Sequence, residues 1–166
     1  MALNMFRGTG EAYFAPAVVD MSQGGELLAA ELIAALKFGA GFNQIQGLEP
    51  QQNQINTPVL RHRTEVQIAG PETFQQVTVT VLEDDGSGVD SDAIERQEVL
   101  TTMVADAEGV LILSRYSQAP TIGDPVWCIG VTVASQVPNW DLGATAETTG
   151  IVLTPTTPLY KMVMAA

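Results

Sequence analysis

His62 and Cys128 are the only imidazole and the only thiol in the chain, so nucleophilic chemistry of the usual kind has to run through that pair. Such chemistry needs a base within hydrogen-bond reach of the nucleophile. Cys128 lies in Val126-Trp127-Cys128-Ile129, an apolar stretch in which a thiol behaves as a small buried hydrophobe. His62 stands between Arg61 and Arg63 with no nucleophile elbow near it, and reads as a solvated strand residue. One His and one Cys cannot supply a tetrahedral zinc set. Gly8-Thr9-Gly10 and Gly39-Ala40-Gly41 lack the third glycine and flanking strand of a dinucleotide loop, and read as turns.

Carboxylates are the remaining inventory. Asp84, Asp85, Asp90 and Asp92, with Gly86 and Gly88, offer oxygen ligands for calcium, but they miss the alternating acids and late Glu of an EF-hand. An exposed hairpin loop is therefore preferred to a calcium-stabilised binding module. No pair of acids is marked by its neighbours for glycoside cleavage. The stretch 83–108 concentrates charge: Glu83, Asp84, Asp85, Asp90, Asp92, Glu95, Glu98, Asp106 and Glu108 stand against Arg96 alone. Arg61-His62-Arg63 offers contacts either to phosphate or to acids of a neighbouring copy, and pairing with acids is favoured. The expectation is no enzyme and no cofactor.

The whole composition points the same way. At 166 residues the chain predicts one domain with a real core. Hydrophobic residues make up 46% and charged residues only 16%, against about 25% in an average protein. That excludes a disordered tail or a coiled coil, and leaves a weakly charged surface that suggests cover by something else. Acids outnumber Lys and Arg by 19 to 7, for a net charge of -12, and the lysines are Lys37 and Lys161. Wrapping of nucleic acid depends on Lys and Arg displacing counterions, so neither that nor attachment to an anionic membrane is expected. A single Cys excludes an internal disulfide and fits a reducing compartment. No signal peptide is expected at Met1 to Arg7, and no window approaches the roughly 18 apolar residues of a bilayer span.

The elements that must carry these residues follow from periodicity. Residues 1–25 read as an N-terminal arm with a first strand over Glu11 to Val19. Leu28, Leu32 and Leu36 recur at four-residue spacing, with Glu26 early and Gly39 beyond the end, which predicts a helix over Glu26 to Lys37. From Phe42 the sequence alternates as a strand, then runs through glutamine-rich residues 49–56 to Gly70-Pro71, read as a turn. Val77, Val79 and Val81 against Thr78 and Thr80 predict a half-buried strand. A helix is expected at about 92–107, then strands over Val110 to Tyr116 and Pro125 to Ser135. A final strand pair is read at about Glu147 to Leu153 and Leu159 to Met164. The plan is mainly β (α+β), with residues 26–166 as one domain.

Several stretches together resemble the major tail tube proteins of long-tailed, siphovirus-like bacteriophages. They are Ala30-Glu31-Leu32 with Gly39, Ile45-Gln46-Gly47-Leu48, Ile55-Asn56-Thr57-Pro58-Val59-Leu60, the Glu65 to Gly70 strand and Val77 to Asp85. Gly109-Val110-Leu111-Ile112-Leu113, Gly123-Asp124-Pro125-Val126 and the Ile151 to Pro158 ending continue the likeness.

The resemblance implies a β-sandwich or barrel-like fold with a flanking α-helix and an extended β-hairpin. Six copies would close into a ring, and rings would stack into a conduit for DNA ejection. Tail terminator and contractile-tail inner tube proteins are the alternatives. On this resemblance the inner-tube strands and hairpin would carry Phe42, Gln44, Gln46, Gln51, Gln54, Arg61, Arg63, Glu65 and Gln67. Contacts between rings would fall on Phe6, Tyr13, Phe14, Asp84, Asp85 and Asp90. The implied partners are further copies of the chain, a tape measure protein, and terminator or distal tail proteins, with DNA in transient passage and no membrane. The implied location is the virion tail, after synthesis in the bacterial cytoplasm.

Overall fold

The chain folds in the order β1 (Glu11–Ala15), β2 (Glu26–Leu28), α1 (Ala29–Ile33), β3 (Leu36–Lys37), β4 (Phe42–Gln46), β5 (Pro50–Thr57) and β6 (Val66–Phe74). It continues through β7 (Val77–Leu82), α2 (Ser91–Thr102), β8 (Glu108–Ser114), β9 (Pro125–Asn139), β10 (Thr148–Pro155) and β11 (Tyr160–Ala165). This computed structural model describes residues 10–16, 21, 25–57, 66–74, 76–84, 87–115, 117–140 and 147–166, with backbone only over 50–57 and 66–74.

Nine strands form one sheet in the order β3-β1-β8-β9-β10-β7-β4, with β11 and β2 attached beside β9. Only the β2–β11 ladder is parallel among the described pairs. The two ends of the path, β3 and β4, are joined by residues 38–41 alone. Six inter-strand gaps in a flat sheet span about 29 Å, whereas this link reaches about 18 Å at most. The sheet must therefore curl, bringing its two ends within about 18 Å of each other without pairing them. The link is bonded to both sides of the seam: the Phe38 N–H donates to the Ala12 carbonyl at 2.9 Å, and the Gly41 carbonyl accepts from the Leu82 N–H at 2.7 Å. The result is barrel-like and dominated by antiparallel β-structure.

Inside the curl, Phe14, Phe38, Val77, Val79, Val81, Leu111, Ile129, Val131, Val133, Ile151 and Leu153 meet Val99 of α2 and its cap residue Met103 in one core. On the outer face of β1, β8 and β9 lies a second core of Tyr13, Leu27, Leu32, Ile112, Val126, Cys128, Met162 and Met164, covered by β2, α1 and β11. Each fully buried apolar side chain contributes roughly 1.5–3 kcal/mol of transfer free energy. Central strands β1 and β8 thus bury both faces.

β9 organises this division. One edge pairs with β8; the other pairs first with β11 over Pro125 to Cys128 and then with β10 from Val131 onward. The changeover falls at Gly130, whose N–H donates to Thr157 Oγ1 at 2.8 Å and whose carbonyl accepts from the Thr156 N–H at 2.8 Å. A β-carbon there would come 2.8 Å from Thr156 Oγ1, so a larger residue would have to push the crossing threonine side chains aside.

Several expectations need correction. Residues 26–37 are not one helix: Glu26–Leu28 pair with β11, Leu36–Lys37 pair with β1, and only Ala29–Ile33 is helical. Glu31 accepts from the Leu28 N–H at 3.0 Å and caps that single turn. Gly70-Pro71 is no turn but the bulged middle of β6, where Gln52 faces Glu72 and Gln54 faces Ala69. A proline, having no N–H, belongs at such a break in the ladder. The second helix ends at Thr102 rather than 107. The last two strands do not pair with each other; each pairs with β9. β1 sits between β3 and β8, an interior strand rather than part of an appended arm.

Candidate assembly surfaces

Strand edges left without partners are the first feature. β4 pairs with β7 on one side only, and among the described residues nothing occupies its outer edge. Its sequence, Phe42-Asn43-Gln44-Ile45-Gln46, carries no Pro or Lys to discourage pairing. A register shift between Phe42 and Gln44 turns Phe42 and Ile45 toward the inner core and leaves Asn43, Gln44 and Gln46 exposed. Phe42 packs against Phe38, with ring centroids 6.1 Å apart, so its side chain is used within the subunit.

β5 and β6 are the second feature. They form a separate two-stranded sheet with no ladder to the main one. Gln51 faces Thr73, Gln54 faces Ala69 and Asn56 faces Gln67. Both outer edges are open among the described residues. A lone hairpin is marginal in water and gains stability when a third strand or a packing face joins it. Gly47, at φ 87°, starts the chain toward this hairpin; a β-carbon there would overlap the Gln76 carbonyl.

A family model described as phage tail tube protein matches residues 2–166. The chain belongs to the phage tail tube protein family. The tail tube fold is shared with solved assemblies at low identity. The sheath–tube complex of an extracellular contractile injection system matches with a TM-score of 0.57 and 12% identity, over 98% of this chain and 93% of that one. A sheath/tube terminator of such a system matches with a TM-score of 0.51 and 13% identity, over 74% and 85%. The tube-terminating cap of an anti-feeding prophage gives 0.50 and 12%, over 74% and 80%. No curated protein matches the sequence. The tail tube protein is thus a structural component of the virion tail, the tube subunit.

The remaining sequence-derived sites separate cleanly. Of the residues expected at ring contacts, Phe14 is fully buried in the inner core of the subunit, and Tyr13 packs in its outer core with its hydroxyl donating to the Gln118 carbonyl at 3.0 Å. Burial, with the charge of Glu11, raises the Tyr13 pKa. Asp90 caps α2 by accepting from the Ala93 N–H at 2.8 Å. Asp84 accepts from Gln97 Nε2 at 3.1 Å and lies 3.8 Å from Arg96. Asp90 thus closes the first turn of its own helix while Asp84 ties α2 to the end of β7, and no group of three metal-ligating side chains occurs among the described residues. Phe6, Arg61, Arg63, Glu65 and Asp85 lie outside the described residues. Cys128 is fully buried, and desolvation, aided by the charge of Glu31, pushes its thiol up to about 12. No described helix is long and apolar enough to cross a membrane.

Lys37 marks the closing seam. Its ammonium lies 3.2 Å from Glu11 of β1 and 3.5 Å from Glu95 of α2. The hydrogen bond to Glu11 raises the Lys37 pKa.

Sequence reasoning missed a set of exposed apolar side chains, including Ile33 at 84%, Ile122 at 69% and Trp140 at 91%. The signal for Ile33 was present: it falls off the Leu28-Leu32-Leu36 stripe. Trp140 sits between Asn139 and Asp141, a polar setting for so large an apolar residue.

Proposed function

We propose that this tail tube subunit closes into hexameric rings by backbone pairing between copies, and that the rings stack into a hollow conduit through which DNA passes during ejection. The observation that carries the reading is the open outer edge of β4 on the main sheet together with the open edges of the separate β5–β6 hairpin. Edge-to-edge addition is ordinarily a hazard, and here it supplies a continuous inner wall. The net charge of -12 suits such a wall, because DNA carries about one negative charge per 1.7 Å and slides along a surface that does not bind it.

No reaction is assigned to the chain; its work is mechanical. A tape measure protein within the tube, and terminator or distal tail proteins at its ends, are the expected neighbours. Negative-stain electron microscopy of the purified protein at rising concentration tests the reading. Rings and stacked tubes are expected; a species that stays monomeric under every condition overturns it. Closed single rings that never stack would favour a terminator role, which the likeness to a sheath/tube terminator makes the natural second reading.

A further inference from the structure

Two exposed apolar clusters occupy opposite ends of one strand. β9 contains 15 residues, so its ends lie about 45 Å apart. At its far end, past the contact with α2, Val137 is 50% and Trp140 91% exposed. At its near end, Ile122 is 69% exposed in the turn where the Gly123 N–H donates to the Met164 carbonyl at 2.9 Å. Beside that turn, Val163 and Leu28, each 45% exposed, share the outer face of the β2–β11 ladder, whose other face buries Leu27, Met162 and Met164. Ile33 follows on α1.

We propose that these clusters are the two halves of one head-to-tail contact between copies, with Trp140 of one subunit seated on the Leu28, Ile33, Ile122 and Val163 surface of the next. The inference rests on the tube-subunit reading, in which successive copies meet through two different surfaces. A patch at one end only would pair with itself about a two-fold axis and stop at a dimer. Two different patches at opposite ends make a heterologous contact, which repeats without closing on a pair. Trp fits the part, since large aromatic anchors seated in apolar pockets carry most of the energy of protein interfaces. The other exposed apolar residues of the set, Val89, Ile94 and Val104, border or lie on α2 among acids and form no counterpart at a strand end.

The test uses the full chain. Trp140→Lys and Val163→Lys are each expected to keep the wild-type circular dichroism and melting temperature, because both side chains are exposed, and to raise the assembly concentration at least tenfold. Cysteines placed together at Trp140 and Val163 in one chain should give a ladder of disulfide-linked multimers in assembled particles under mild oxidant. Either cysteine alone should give none. The native Cys128 does not interfere, being fully buried with its thiol raised to about 12.

Assembly of Trp140→Lys at the wild-type concentration overturns the proposal. So does a dimer formed by the Trp140 cysteine variant alone, which would mean a two-fold contact. Loss of another tail protein from Trp140→Lys particles that otherwise assemble normally would assign the patch to that protein and likewise overturn it. If the wild type never assembles, the tube reading itself fails; if the wild type assembles and the variants match it, only this contact fails.

Discussion

Gln136 of β9 donates its side-chain amide to the Met103 carbonyl at 2.9 Å, and the same nitrogen reaches the Leu100 carbonyl at 2.8 Å. Those carbonyls belong to the last turn of α2 and its cap, where the helix has no acceptors' partners of its own. The side chain reaches them because the β9–β10 ladder shifts register between Val152 and Leu153, opposite Ser135 and Val133. The inward face moves from odd-numbered residues, ending at Val133, to even-numbered Gln136.

Replacing Gln136 with Leu leaves two carbonyls without donors near the core. Chemical denaturation should show a loss of about 1–3 kcal/mol, and amide exchange should quicken first in the last turn of α2.

Gly39 is held as a glycine by Glu11, because a methyl group there would overlap the Glu11 carboxylate. Gly39→Ala should displace that carboxylate, break its contact with Lys37 and loosen the seam, costing on the order of 2 kcal/mol. Lys37→Met removes a half-exposed cation and should cost under about 1 kcal/mol in the same denaturation assay. Equal losses for the two would contradict the assignment of the strain to the Gly39 site.

Alkaline pH should destabilise the subunit. The thiol of Cys128 rises from 9.0 to about 12 on folding, so between those values the unfolded chain binds fewer protons than the native one, and stability falls as pH rises. By pH 10.5 the loss should be about 2 kcal/mol. Tyr13 and Lys37, both raised, act in the same direction at higher pH. Cys128→Ala should flatten the decline between pH 9 and 10.5; an unchanged slope would show that the thiol does not govern it.

Replacing residues 50–74 with a short glycine-serine linker should leave the folded core, since the hairpin shares no ladder with the main sheet. The melting temperature should fall by only a few degrees while ring formation is lost. Rings of normal appearance from this variant would remove the hairpin from the assembly mechanism.

Much of the strand architecture was readable from residue order because its signals are local. Val77, Val79 and Val81 alternate with threonines, and the structure buries the three valines completely. The helix expected from about 92 begins at Ser91, with Asp90 as its cap. Long-range pairing was not readable. The leucine stripe at 28, 32 and 36 imitates a helix, yet β11 and β1 draw its two ends into ladders, and the buried residue at the start is Leu27. Tyr13 and Phe14 point to opposite cores because β1 is covered on both faces, which no alternation within the strand announces. The shift that exposes Gln44 beside a half-buried Phe42 depends on a bulge opposite β7, which no spacing within β4 announces. Of the proposed assembly surface, the glutamine-rich, uncharged first strand of the hairpin was visible in composition, whereas the exposure of Trp140 at a strand end required the fold.

Hydrogen exchange at the backbone amides of β4, β5 and β6, compared between dissociated subunits and assembled particles, bears most directly on pairing between copies. Slowing of at least a hundredfold along β4 and the hairpin on assembly, with little change in β8 and β9, is the expected result. Particles whose β4 and hairpin amides exchange as fast as in the free subunit would mean that the rings are held together in some other way.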